Sequence, residues 1–148
     1  MEEIKKIQGN RAKHFSESRK KTLQIIAEDY TELISDLVEQ NGVARPCDIA
    51  RELGVSHVSA LKALKRLTRL GYLSKKPNQP VELTKKGEEL ARFCKRRHEI
   101  LLQFFHVLGI PKEIVETDVE GIEHHVSERS LEAIQAHLNR LDSQKDIS

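Results

Sequence analysis

ARPCDIARELGVSHVSALKALKRLTRLGYL, residues 44–73, is the stretch from which the architecture follows. Pro46 suits the first turn of a helix, where a missing N–H leaves no carbonyl unpaired. PCDIAREL then offers Ile49, Ala50 and Leu53 as an inward face. Gly54-Val55-Ser56 interrupts the pattern, with Val55 expected to pack inward. A second stripe, Val58, Leu61, Leu64 and Leu67, runs on toward Leu70. Two helices joined by a tight, glycine-bearing turn make a helix-turn-helix unit. After Gly71, the segments Tyr72–Lys76 and Val81–Thr84 flank Pro77-Asn78-Gln79-Pro80, which predicts a hairpin. A hairpin in that place is a wing.

The outer face of the second helix is cationic. Ser59, Lys62, Arg66 and Arg69 recur at i, i+3, i+7 and i+10, Lys65 sits beside them, and no acid occurs from His57 to Leu70. A helix of this kind fits the major groove of double-stranded DNA, with its N-terminal residues near base edges and its cations on phosphates. Ser56, His57 and Ser59 are expected nearest the groove floor, with Lys62 next and Arg66 toward the backbone. Lys75 and Lys76 would set the wing against phosphates. A merely solvated basic helix accounts less well for the turn, the hairpin and the missing acids together.

Outward from this unit, Ile26, Tyr30, Leu33, Ile34, Leu37 and Val38 predict a helix over about Ile25–Gln40, ended by Asn41-Gly42. Residues 1–22 hold seven Lys or Arg against three Glu and few apolar residues. They are expected to form a mobile basic arm, either a plain tail or one that touches DNA. Beyond the wing, Thr84 can cap a helix over about Lys85–Leu108 that stops at Gly109. Pro111 opens another over Lys112–Val126, with Val115, Val119, Ile122 and Val126 inward. Ser127 can cap a last helix through Leu141, with Leu131, Ile134, Leu138 and Leu141 on one side. The expected organisation is mainly α: an arm (1–22), a winged helix-turn-helix domain (23–84) and an all-α domain (85–148).

The totals narrow the classes. In 148 residues, 38% hydrophobic and 32% charged, no apolar run is long enough to span a bilayer, and the N-terminus lacks a signal-peptide core. The two cysteines, Cys47 and Cys94, lack metal-ligand spacing and are expected to be reduced, buried and structural. The expected location is cytoplasmic, with no membrane partner.

DVEGIEHHVS, residues 118–127, raises a chemical question. On one helix Glu120, Glu123 and His124 stand at i, i+3 and i+4 and share a face. His98 falls in line with Cys94, Leu101 and Phe105 on the preceding helix. Asp29 and Glu32, at i and i+3 on the first helix, repeat the paired-acid arrangement beside an apolar stripe. Two like charges about 4 Å apart cost roughly 4 kcal/mol at an effective dielectric near 20, so these groups ask for a cation. A solvated helix face would explain any one pair, but not all of them together.

In combination, EDYTELI, the helix-turn-helix with its wing, RRHE and DVEGIEHHVS resemble the manganese-responsive branch of the diphtheria toxin repressor family of metal-dependent transcriptional regulators. The likeness spans roughly Ala27–Leu138, and DVEGIEHH is its most specific string. It implies metal ligands at Asp29, Glu32, His98, Glu120, Glu123 and His124, arranged around two Mn2+ ions per subunit. It also implies a homodimer on a palindromic operator, with metal as corepressor silencing metal-uptake genes. His125 is not among the implied ligands, and the third domain of some relatives has no counterpart here. The implied donor set, four carboxylates and two imidazoles, is hard and suits Mn2+. Iron-responsive relatives carry Met and Cys where this chain has Asp29 and Glu120. Fe2+, Zn2+ or Cd2+ could still bind in vitro.

The implied mechanism is metal linking the leading helix to the rear helices. A ligand shifts a conformational equilibrium only through its differential affinity, and moving 1:99 to 99:1 needs about 5.5 kcal/mol. An enzyme is not expected: no Glu-x-x-His pair of a di-iron bundle occurs, and HEILL lacks the second His of a zinc hydrolase. An iron-responsive relative and a metal-independent winged-helix regulator are the remaining alternatives.

Overall fold

The structure is a computed structural model that describes residues 2–145, with side chains described for 11–144. Helix α1 spans Glu2–Asn41, α2 Pro46–Leu53 and α3 His57–Arg69; strands β1, Leu73–Lys75, and β2, Val81–Leu83, follow. Helices α4, Lys85–Val107, α5, Lys112–Ile122, and α6, Glu128–Lys145, complete the order, with a 3-10 turn at Glu123–His125. Residues 1–91 and 92–148 form two compact units, and α4 contributes to both.

In the first unit, Ala27, Tyr30, Ile34 and Leu37 of α1 pack with Ile49 of α2, Leu64 and Leu67 of α3, and Leu73 and Val81 of the hairpin. Each fully buried Leu or Ile is worth about 1.5–3 kcal/mol relative to exposure. Gly54 takes φ +64, and the chain reverses there through Gly54 N–H to Arg51 O, 3.2 Å, and Val55 N–H to Ala50 O, 3.0 Å. Only a residue without Cβ adopts this left-handed turn cheaply. The wing is antiparallel, Leu73 facing Leu83 and Lys75 facing Val81. Val81 N–H also donates to Ala44 O at 2.8 Å, which fastens the wing to the start of α2.

Thr84 caps α4 by accepting from Gly87 N–H at 3.2 Å, while its own hydroxyl donates to Gly71 O. Gly87 is required by space: a Cβ there would stand 2.2 Å from Tyr72 O. In the second unit, Ile100 and Leu101 of α4, Val115 and Val119 of α5, and Leu131 and Leu138 of α6 form the core. Ser127 accepts from Ser130 N–H at 3.2 Å and caps α6, as its position predicts.

Several expectations are corrected. The segment expected as a mobile arm is helical from Glu2 and continuous with the buried part of α1; Met1 lies outside the described residues. It holds no proline, and ten of its residues from Glu2 to Thr22 are Lys, Arg or Glu, so local propensity favours helix. Val55, Val58 and Leu61 do not pack inward; they are 40%, 61% and 37% exposed. Ala60, Leu64 and Leu67, at i, i+4 and i+7, are the buried stripe of α3 instead. Val38 and Ile122, expected inward, are also exposed. Cys47 is exposed, because Ile49 and Ala50 take the inner face of α2; Cys94 is buried. The expected continuous helix over Lys112–Val126 ends at Ile122. Gly121 weakens its last turn, the 3-10 turn tightens the next, and Val126 is extended at φ −81, ψ 121.

Candidate metal centre and nucleic-acid interface

The candidate nucleic-acid face belongs to the first unit. Ser56 is the N-cap of α3: its hydroxyl oxygen accepts from Ser59 N–H at 3.1 Å, and the two hydroxyls lie 2.8 Å apart. Both serines, singled out as base readers, are therefore occupied with each other, which fixes the start of the helix. His57, Ser59, Lys62, Lys65, Arg66 and Arg69 are all exposed, and no acid interrupts them. Lys76 is exposed at the wing and Lys75 half-buried at its base. Between wing and α3 lies a cleft of about 410 Å³ bordered by Arg45, His57, Leu61 and Lys75. Val58 and Leu61 are the residues that helical periodicity misassigned: they are apolar side chains on the exposed face, beside His57 and Lys62. Their signal is the conflict between two stripes in one helix, Val58/Leu61 and Ala60/Leu64/Leu67, of which only one can be buried.

The acids of α1 stand one turn apart. Asp29 and Glu32 are half-buried beside the core residues Tyr30 and Leu33. Burial first, and the Asp29 charge second, push the Tyr30 phenol above its ordinary range, so it stays neutral.

The second unit brings together three of the six residues singled out for metal. His98 Nδ1 of α4 lies 2.6 Å from Glu123 Oε2, 25 residues away. Glu123 Oε1 is 3.9 Å from His124 Nε2, and both side chains are largely buried, 12% and 14% exposed. Glu123 still has helical backbone angles and its N–H donates to Val119 O, and the 3-10 turn over Glu123–His125 then carries His124. Glu120, one turn earlier, is exposed. Arg97, buried beside His98 in sequence, places a guanidinium nitrogen 3.2 Å from His124 Nδ1. The helical pattern named His98 and passed over Arg97, its neighbour in RRHE.

Among the described residues, no three His, Cys, Asp or Glu side chains are gathered tightly enough to hold an ion as they stand. The donor chemistry nevertheless fits a hard divalent cation. In the short His98–Glu123 contact an imidazole nitrogen and a carboxylate oxygen share one proton, and both would be ligands for a divalent ion once that proton is lost. Carboxylate and imidazole oxygen and nitrogen donors, without thiolate, match Mn2+ and its neighbours in hardness.

A winged helix-turn-helix with a cationic reading helix, followed by a helical unit with a carboxylate-imidazole cluster, defines a metal-linked DNA-binding regulator. The chain belongs to the iron-dependent repressor family, the diphtheria toxin repressor type. Residues 23–81 match its N-terminal DNA-binding domain and residues 84–147 its metal-binding and dimerisation domain. The transcriptional regulator MntR of Salmonella typhimurium is 44% identical over 122 residues, 82% of this chain and 78% of that protein. The HTH-type transcriptional regulator MntR of Bacillus subtilis is 40% identical over 107 residues, 72% of this chain and 75% of that protein. Among solved structures, the manganese regulator SloR matches at 27% identity and TM-score 0.65, and the metal-dependent transcriptional regulator MtsR at 25% and 0.70. Each match covers 76% of this chain and 53% of the solved chain, so this chain spans about half their length. The family and these relatives are transcriptional regulators, and among the described residues no helix is long and apolar enough to cross a membrane.

Proposed function

We propose that the chain is a manganese-dependent transcriptional repressor, a homodimer that takes Mn2+ as corepressor and binds a palindromic operator to silence metal-uptake genes. The observation behind this reading is the His98–Glu123–His124 contact chain within the metal-binding domain of a repressor family. The proposed ligands are Asp29, Glu32, His98, Glu120, Glu123 and His124, holding two ions per subunit. When bound, a divalent ion would supply positive charge to these carboxylates. Glu123 offers two oxygens toward two imidazoles, so it is the proposed shared ligand. His98 and His124 must present lone pairs, hence be neutral, for the set to assemble. Asp29 and Glu32 precede the DNA-reading elements on α1, so engaging them is how occupancy would be felt by α3.

Selection of Mn2+ over Fe2+ follows from the donors. The chain's single methionine is Met1, and neither Cys47 nor Cys94 belongs to the proposed set. Two similar solved proteins support this reading: SloR is a manganese regulator and ScaR a manganese-activated repressor, the latter also solved with Zn2+ and with Cd2+. On DNA, the exposed cations of α3 and the wing would hold phosphates, leaving His57, Val58 and Lys62 to face bases.

The test is metal-stimulated DNA binding by His98→Ala and Glu120→Ala proteins, beside their thermal melts. Both variants are expected to fold and to lose the Mn2+ response. A wild-type response in both would remove the assigned ligands.

A further inference from the structure

We propose that Arg97 is a built-in competitor for the metal site: its guanidinium holds His124 Nδ1, and His124 becomes a ligand only when Arg97 withdraws. The inference rests on the reading of His124 as a ligand and assigns a role to a residue outside the ligand set.

Hydrogen-bond chemistry carries the argument. A guanidinium has donors only, so a nitrogen 3.2 Å from it on His124 accepts. His124 Nδ1 therefore holds the ring's lone pair, and the proton of the neutral imidazole is on Nε2. Nε2 in turn lies 3.9 Å from Glu123 Oε1, too far for a direct hydrogen bond. Ligation through Nδ1 displaces Arg97 outright. Ligation through Nε2 moves the proton to Nδ1, which can then no longer accept from Arg97. Either way the contact breaks.

Arg97 is also placed to stay where it is. It is only 3% exposed, and its guanidinium stacks over the Phe93 ring at 5.4 Å, one turn back on α4. The neighbouring His98 faces Glu123 while Arg97 faces His124, so consecutive residues of α4 hold both members of the Glu123–His124 pair. A fixed positive charge beside the cluster partly satisfies its carboxylate before metal arrives and repels an incoming dication. The consequence is a raised threshold: occupancy awaits a higher free-metal concentration than the ligands alone would require.

The experiment uses the full chain. Imidazole nitrogen NMR on metal-free wild-type protein, with His124 assigned through His124→Gln, is expected to show the Nε2–H tautomer for His124. Titration with diamagnetic Cd2+ is expected to perturb the Arg97 side-chain and His124 ring signals together. Mn2+ affinity, by competition with a fluorescent chelator, is expected to rise roughly ten- to a hundredfold in Arg97→Met, the range for losing a hydrogen bond to a charged group. Arg97→Lys, which keeps the charge, is expected to fall between. An Nδ1–H tautomer in metal-free wild type, or a folded Arg97→Met protein with unchanged or weaker affinity, overturns the proposal. Should Arg97→Met fail to fold, the wild-type tautomer decides. Unaltered Mn2+ affinity in His124→Gln would instead remove His124 from the ligand set, the reading underneath.

Discussion

His98 and Glu123 meet across 25 residues of sequence in a 2.6 Å contact between imidazole Nδ1 and carboxylate. The shared proton would be given up if both groups ligated a divalent ion, and the nature of the surrounding donors would decide which ion. Exchanging two hard donors for soft ones should therefore change the preference. Asp29→Met combined with Glu120→Cys is expected to shift the DNA-binding response from Mn2+ toward Fe2+, read as anaerobic operator titrations with each metal. An unchanged metal profile would count against the donor-hardness argument.

Gly87 tests the joint between wing and α4. A methyl at this position would stand 2.2 Å from the Tyr72 carbonyl and 3.2 Å from Leu83 Cδ2, so backbone must move. Gly87→Ala is expected to destabilise the protein by about 1–3 kcal/mol, the usual range for overpacking, despite the better helix propensity of Ala. Chemical denaturation of the two proteins measures it; equal midpoints would show that the wing yields freely.

Val58, 61% exposed on α3, offers a methyl-bearing surface where a thymine methyl can be received in the major groove. In wild type, replacing operator thymines by uracil is expected to weaken binding at one or more positions. Val58→Ala should erase that difference while leaving the metal response intact. A variant as sensitive to the missing methyl as wild type would take Val58 off the reading surface.

The basic first half of α1 makes an electrostatic prediction. Arg11, Lys13, Arg19 and Lys20 are exposed. If these cations reach phosphates, deleting residues 1–22 will lower affinity mainly at low salt and flatten the slope of log affinity against log salt by about one per lost contact. Affinity unchanged across a salt titration would make the segment passive.

The residues that proved legible were those whose side-chain chemistry and backbone geometry agree. Gly54 announces a left-handed turn, Thr84 and Ser127 announce caps, and the His57–Leu70 run announces a cationic face. What stayed hidden has a physical cause in each instance. Val58 and Leu61 look like core because hydrophobicity alone does not say which of two stripes a helix buries. Residues 2–22 look like a tail because few of them are apolar, and among the described side chains at 11–22 none is buried, whereas helix propensity remains. Glu120 is exposed while Glu123 and His124 are half-buried, because the side chains of α4 reach only the latter two, which spacing within one helix does not tell. Arg97 escaped notice because an arginine pair in RRHE reads as surface charge, and only the fold buries Arg97 against His124.

The dependence of DNA binding on metal is tested most directly by comparing operator affinity of chelator-stripped and Mn2+-loaded full-length protein at one fixed salt concentration. The expected result is tighter binding by the loaded form, by about 5–150-fold, the span of ordinary coupling energies between two sites. Equal affinity of the two forms would contradict it.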